Sequence, residues 1–215
     1  MKEANRERKS EIKYNVTLNE EQKLAKQLII DNQIVIVTGR AGSGKSLVCA
    51  QAALDFLMKK QCNNIYVTRA TVEVGGSLGF LPGDLEEKFN PYLEAFRENL
   101  EKCYDKVKIQ ELVKNKRVVA YPVQFIRGKT IDDVLVVEEA QNLSKGEMLA
   151  ILTRLGKTGK IIINGDNEQK DIKEPYTGLS YAIEISKKIE GIEWIKLKSN
   201  HRSDLVGKIL DNEYN

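Results

Sequence analysis

The chain has 215 residues, of which 41% are hydrophobic and 30% charged, with a formal net charge of +3. That length suits one α/β domain with its own core and is too short for two such domains and a linker, and no apolar run approaches the roughly 20 residues of a membrane-spanning helix. Three cysteines without CxxC spacing and a single histidine, His201, support neither a disulfide framework nor a zinc site, and so small a net charge says little about an anionic partner.

In chain order, residues 1–13 are dense in Lys, Arg and Glu and lack the apolar stretch of a secretory signal. They read as a charged arm, disordered or helical, ahead of a domain spanning 14–215. The run Ile34-Val35-Ile36-Val37 predicts a strand that breaks into a glycine-rich turn, and Leu47 to Lys59 carries apolar residues at helical spacing. Further strands are expected at Ile65 to Val67, Val118 to Tyr121, Val134 to Val137, Ile161 to Ile163 and Trp194-Ile195. Several of these runs are apolar without alternation, as in strands covered on both faces. The fold class is α/β, a single domain with a mostly parallel sheet and helices on both faces. Residues 71–117 form an insert that begins with the turn-rich Gly75 to Asp84 and continues as a charged helical stretch. Its punctuation suits an ordered loop leading into edge helices, or a lid.

Gly39-Arg40-Ala41-Gly42-Ser43-Gly44-Lys45-Ser46 has the spacing GxxxxGK[ST] between a strand and a helix. Glycines there let successive N–H groups turn inward around phosphates, the lysine adds charge at the β/γ position, and the hydroxyl ligates Mg²⁺. The expected nucleotide contacts are these eight residues and Leu47. Such a site also needs an acid at a neighbouring strand end for the metal shell and another to activate water. Glu138 and Glu139, directly after the strand at Val134 to Val137, supply the two, although Glu138 is a methylene longer than the usual Asp. A later strand breaks at Gly165-Asp166-Asn167-Glu168-Gln169, where Gln169 is placed to sense the γ-phosphate.

Together the residues resemble the PhoH-like proteins, ATPases related to the first RecA-type domain of superfamily 1 helicases. The resemblance runs from about Leu18 to Val206. Beyond the P-loop it rests on Thr68-Arg69, Val72-Glu73 with Gly75, Leu78 to Lys88, Pro91-Tyr92-Leu93, Arg127 to Thr130, Glu139 to Asn142, Leu152 to Gly156, Gly165-Asp166 with Gln169 and Asp171, and Gly178-Leu179. It implies ATP and Mg²⁺ as cofactors, with Lys45, Glu139 and Gln169 in catalysis and Ser46 and Glu138 at the metal. It also implies that Gln22, which taken alone is a helix-surface residue, reads adenine. The late arginine of the family falls on Arg202. A single RecA-type domain has no second domain to supply such an arginine, so a homo-oligomeric, hexameric ring with Arg202 acting in trans is expected. The sequence departs from the family at Glu138 and at Ala70, where proline is usual.

The resemblance further implies RNA or single-stranded DNA as partner, with Arg69, Arg127, Lys129 and Arg154 as contacts and Phe80 and Phe125 as stacking surfaces, in the cytoplasm of a bacterial or phage-infected cell. A GTPase would need an NKxD-type motif, absent here. The principal rival is a slow or non-catalytic assembly module in which nucleotide sets the oligomeric state.

Overall fold

The central apolar runs form strands whose alternate side chains enter two different cores. The computed structural model describes residues 12–70 and 85–201. Its strands are β1 (Ile34–Gly39), β2 (Ile65–Arg69), β3 (Val118–Ala120), β4 (Val134–Glu138), β5 (Lys160–Gly165) and β6 (Ile192–Leu197). They make one sheet in the order β3-β2-β4-β5-β1-β6, with every pairing parallel, so the mostly parallel expectation is exceeded. The helices are α1 (Glu20–Asp31), α2 (Lys45–Met58), α3 (Leu85–Cys103), α4 (Lys106–Lys114), α5 (Val123–Ile126), α6 (Lys145–Leu152) and α7 (Gly178–Ser186). All six expected strands are present; β3 stops at Ala120, one residue short of its expected run, and the other five extend beyond theirs.

Val35, Val37, Ile65, Val67, Val134, Val136 and Ile162 face the layer built by α1 to α4. Their neighbours Ile34, Ile36, Leu135, Val137, Ile161 and Ile163 face α5, α6 and α7. Burying each such aliphatic side chain contributes about 1.5–3 kcal/mol before entropy is counted, which is why the central strands read as continuous Ile and Val. On α3, Leu93, Phe96, Leu100 and Cys103 recur at helical spacing and are buried, so the helical part of the insert packs on the sheet. On α1, Gln22, Ala25 and Ile29 form the buried stripe. The three cysteines are free and buried. No helix among the described residues is long and apolar enough to cross a membrane.

One half-buried charged residue has a structural task. Lys160, at the start of β5, donates to the carbonyls of Ile29 (3.1 Å), Ile30 and Asn32 (2.8 Å) at the C-terminal end of α1. Its ammonium thereby satisfies carbonyls that have no helical partner and complements the negative end of the helix dipole. Lys160→Met is expected to cost about 1–2 kcal/mol, because partly buried carbonyls lose their donor; urea unfolding of the two proteins measures it.

Candidate nucleotide site

Strand order assembles the site. Because β5 lies between β1 and β4, the turns that follow these three strands sit side by side at the C-terminal edge of the sheet, where open parallel sheets bind ligands. The turns are the P-loop, the Glu138-Glu139 segment and Gly165 to Gln169.

The P-loop joins β1 to α2. Helices α1, α4, α6 and α7 begin with a side chain that accepts from a first-turn amide, whereas α2 begins on Gly44 with no such cap. Its first-turn N–H groups are thus left for an anion. Gly44 has φ 84°, and a Cβ built there would lie 2.4 Å from Gln22 Nε2. Gly44→Ala meets both a left-handed backbone and a clash. We expect it to weaken nucleotide binding by at least about tenfold, measured by fluorescent-nucleotide titration.

Ala41, Gly42, Gly44, Lys45, Ser46 and Leu47 line a cleft of about 370 Å³ with Glu139 and Gln169 opposite. The Lys45 ammonium donates to the Gly39 carbonyl and, at 3.1 Å, to that of Arg40. Burial lowers its pKa, opposed by the carboxylates of Asp166, Glu139 and Glu138. Arg40 pairs with Glu168 at 3.3 Å, tying the P-loop to the turn after β5.

Ser46 Oγ donates to Glu138 Oε2 at 3.2 Å although the two residues are 92 positions apart. Asn164 Nδ2, on the neighbouring strand, donates to Glu138 Oε1 at 2.6 Å. Burial pushes the Glu138 carboxyl up to about 7; the charge of Glu139 acts in the same direction, and the Asn164 and Ser46 hydrogen bonds act against it. A hydroxyl and a carboxylate converging at the start of α2 are hard oxygen donors of the kind that Mg²⁺ takes in such sites, where phosphates and water complete its shell. The longer Glu138 is accommodated, 8% exposed and hydrogen bonded at both oxygens.

Glu139 adopts φ 51°, ψ 45°. Among the described residues the other non-glycine positions with positive φ, Lys60 and Lys116, directly follow helix ends, whereas Glu139 sits in the turn after β4. A left-handed glutamate is strained, and strain of this sort collects at functional turns. Its Oε2 accepts from Gln141 Nε2 at 2.6 Å.

Several contributors carried no assigned role in the sequence. Gln141, 1% exposed, also donates to the Gln169 carbonyl at 3.2 Å and accepts from the Asp166 amide at 3.0 Å, so it rivets the β4 turn to the β5 turn. Asn164 ends a run of isoleucines, and a polar residue at the end of a buried strand was the available signal. Asn99 and Lys102 of α3 reach the same cleft.

Gln22 is not on the helix surface. It is 3% exposed, on the stripe shared with Ala25 and Ile29, and that spacing was legible. Its Oε1 accepts from the Asn19 amide at 3.0 Å and its Nε2 donates to the Ser43 carbonyl at 3.1 Å, with His201 Nε2 3.1 Å away. The His201 amide donates to the Gly42 carbonyl at 3.0 Å. Glu21 accepts from the amides of Lys198 and Ser199, so α1 clamps the segment after β6 to the P-loop. Arg202 and Phe80 lie outside the described residues.

Two of the expected nucleic-acid contacts, Arg127 and Arg154, are joined directly. Arg154 Nη1 donates to the Arg127 carbonyl at 3.0 Å, and Lys129 lies over the rings of Tyr66 (3.6 Å) and Tyr121 (4.8 Å). Phe125 is 49% exposed. Arg69, at the end of β2, pairs instead with Glu139 at 3.8 Å.

Comparison with known proteins bears on the family and the fold. A family model described as PhoH-like protein matches residues 16–213. A PhoH-like protein of Bacillus subtilis (strain 168) is 39% identical over 184 residues, covering 84% of this chain and 58% of the relative. The chain spans about half the length of the curated relatives it matches. Among solved structures, the large terminase of a thermophilic bacteriophage superposes with a TM-score of 0.58 at 12% identity, covering 93% of this chain and 51% of that one. The Pif1 helicase of Candida albicans does so with a TM-score of 0.50 at 18% identity, over 91% and 43%. These likenesses show a shared RecA-like P-loop fold.

Proposed function

The chain belongs to the PhoH-like family, and from that premise we propose that it is a magnesium-dependent ATPase whose turnover is coupled to RNA or single-stranded DNA. The observation that carries the reading is the meeting of Ser46 with Glu138 at the head of α2, beside Glu139. A structural glycine turn has no need of a half-buried hydroxyl facing a buried carboxyl there.

In this reading Lys45 exchanges the Gly39 and Arg40 carbonyls for the β- and γ-phosphate oxygens, a charge-assisted gain. The uncapped amides of α2 hold the phosphates. Glu139 accepts a proton from the attacking water, and Gln169, fixed through its carbonyl by Gln141, orients that water or the γ-phosphate. A magnesium ion at Ser46 and Glu138 would neutralise the charge that develops on the phosphoryl group. Gln22 reads the adenine, and its bond to Ser43 ties that reading to the phosphate loop. Arg127, Lys129 and Arg154 contribute basic contacts to nucleic acid in a cytoplasmic setting.

Phosphate release from ATP is measured with Mg²⁺ at low salt, with and without poly(U) or poly(dT). Turnover raised by either polymer supports the proposal. No release, or turnover indifferent to both with no binding, overturns it. An assembly module with negligible chemistry predicts instead the same negligible rate for the wild type, Glu139→Gln and Glu138→Asp.

Arg202 is proposed to complete the site of a neighbouring subunit in a hexameric ring. A strict monomer by light scattering with ATP and Mg²⁺, with turnover independent of concentration, counts against the ring. A second reading, in which Arg202 serves its own subunit, is favoured by the His201 bond to Gly42, which brings the preceding residue to the same chain's P-loop. Mixing Arg202→Ala with Lys45→Ala subunits decides between them: activity returns only if the arginine acts in trans.

A further inference from the structure

Glu139 is held from two sides. Gln141 donates to Oε2 at 2.6 Å from within the same turn, and Arg69 reaches Oε1 from β2 at 3.8 Å. The two holds differ in kind. Gln141 is buried and bonded to two further groups, so it cannot leave without breaking the turn. The side chains of Arg69 and Glu139 are 36% and 37% exposed, and an ion pair so open to water binds its partners only weakly.

Arg69 also lines a second cleft, of about 410 Å³, which shares Glu139 and Gln169 with the nucleotide cleft but contains no P-loop residue. The cleft's carboxylates each have a partner. Glu168 pairs with Arg40 at 3.3 Å, Asp171 accepts from Asn142 Nδ2 at 2.9 Å, and Glu139 accepts from Gln141. Its cations are Arg69 and Lys170, the latter donating to the Glu174 carbonyl at 3.3 Å. A forked guanidinium at an open cleft is suited to a phosphodiester, which it engages through two parallel hydrogen bonds in place of one long contact.

We propose that a polynucleotide phosphate enters this second cleft and takes Arg69 from Glu139, releasing the base toward the nucleotide. Arg69 is then a positioning residue that couples nucleic-acid binding to turnover. The parallel register sets Arg69 opposite Glu138, so the exchange reaches the base across one strand spacing, without movement of another domain. The inference deepens the ATPase reading above and rests on it.

Turnover is measured for the wild type, Arg69→Gln and Arg69→Lys, with saturating poly(U), with poly(dT) and with neither. Arg69→Gln is expected to turn over about two- to fivefold faster than the wild type without polymer, the range an exposed ion pair can bias. Its stimulation by either polymer is expected to fall below about twofold, with Arg69→Lys between the two. A loss of structure would lower the basal rate, so the rise distinguishes release from damage. A basal rate for Arg69→Gln equal to or below that of the wild type overturns the inference, as does stimulation that survives intact. If the wild type itself is not stimulated by either polymer, the nucleic-acid coupling fails and the Arg69 exchange falls with it. Stimulation by one polymer alone identifies RNA or DNA as the source of the phosphate.

Discussion

Glu139→Gln is expected to lower ATP turnover by about 10²- to 10⁴-fold, the usual worth of a general base, while ATP affinity changes by less than about threefold. The substitution keeps the shape of the side chain and an oxygen that can accept from Gln141, so the strained turn and its link to Gln169 persist. What it removes is the ability to take a proton from water. Lys45, Ser46 and the α2 amides, which make the ground-state contacts in the proposed reading, are untouched. A loss confined to kcat, read from steady-state phosphate release beside nucleotide titration, is the signature of a group acting in the transition state. If turnover falls less than about tenfold, the base is elsewhere.

Glu138→Gln is expected to stabilise the nucleotide-free protein at pH 8 by about 3 kcal/mol and to leave it nearly unchanged near pH 4.5. The sign follows from burial. The carboxyl titrates at about 7 in the folded chain, against an ordinary value of 4.5. Between these two values the folded state therefore binds more protons than the unfolded state. Stability falls as pH rises from about 4.5 to about 7, and above that range the full cost of a buried carboxylate is present. Glutamine, which keeps an acceptor for Asn164, carries no such cost. For a chain of this size the gain corresponds to a rise in Tm of roughly 6–12 °C at pH 8. Adding ATP with Mg²⁺ is expected to reverse the order, since a cation at Ser46 and Glu138 favours the ionised carboxylate that the variant lacks. Urea melts at the two pH values, with and without nucleotide, measure both effects. Equal stabilities at pH 8 would show that the carboxylate is solvated.

The same residue accounts for a departure from the family pattern. The sequence places Glu where Asp is usual and leaves open how the extra methylene is absorbed. In the fold, Asn164 on β5 meets Oε1 and Ser46 meets Oε2, so the longer side chain spans from the end of β4 to the head of α2. Neither partner is near Glu138 in sequence, and no local spacing foretells the pairing.

The sequence by itself determined the six strands, the P-loop and the parallel class, because these follow from local chemistry. Ile and Val runs buried on both faces, a glycine turn that needs positive φ, and a strand followed by a helix leave little choice. It also placed Glu138, Glu139 and Gln169 at strand ends, where an open sheet exposes side chains to ligand. Only the tertiary structure decided which strand ends are neighbours. The order β3-β2-β4-β5-β1-β6 sets Asn164 beside Glu138, lets Gln141 join two turns and brings Arg69 to Glu139. Strand order and register are fixed by how two helical layers share the sheet's faces, a balance of contacts between segments far apart in the chain, and a one-dimensional pattern does not carry them.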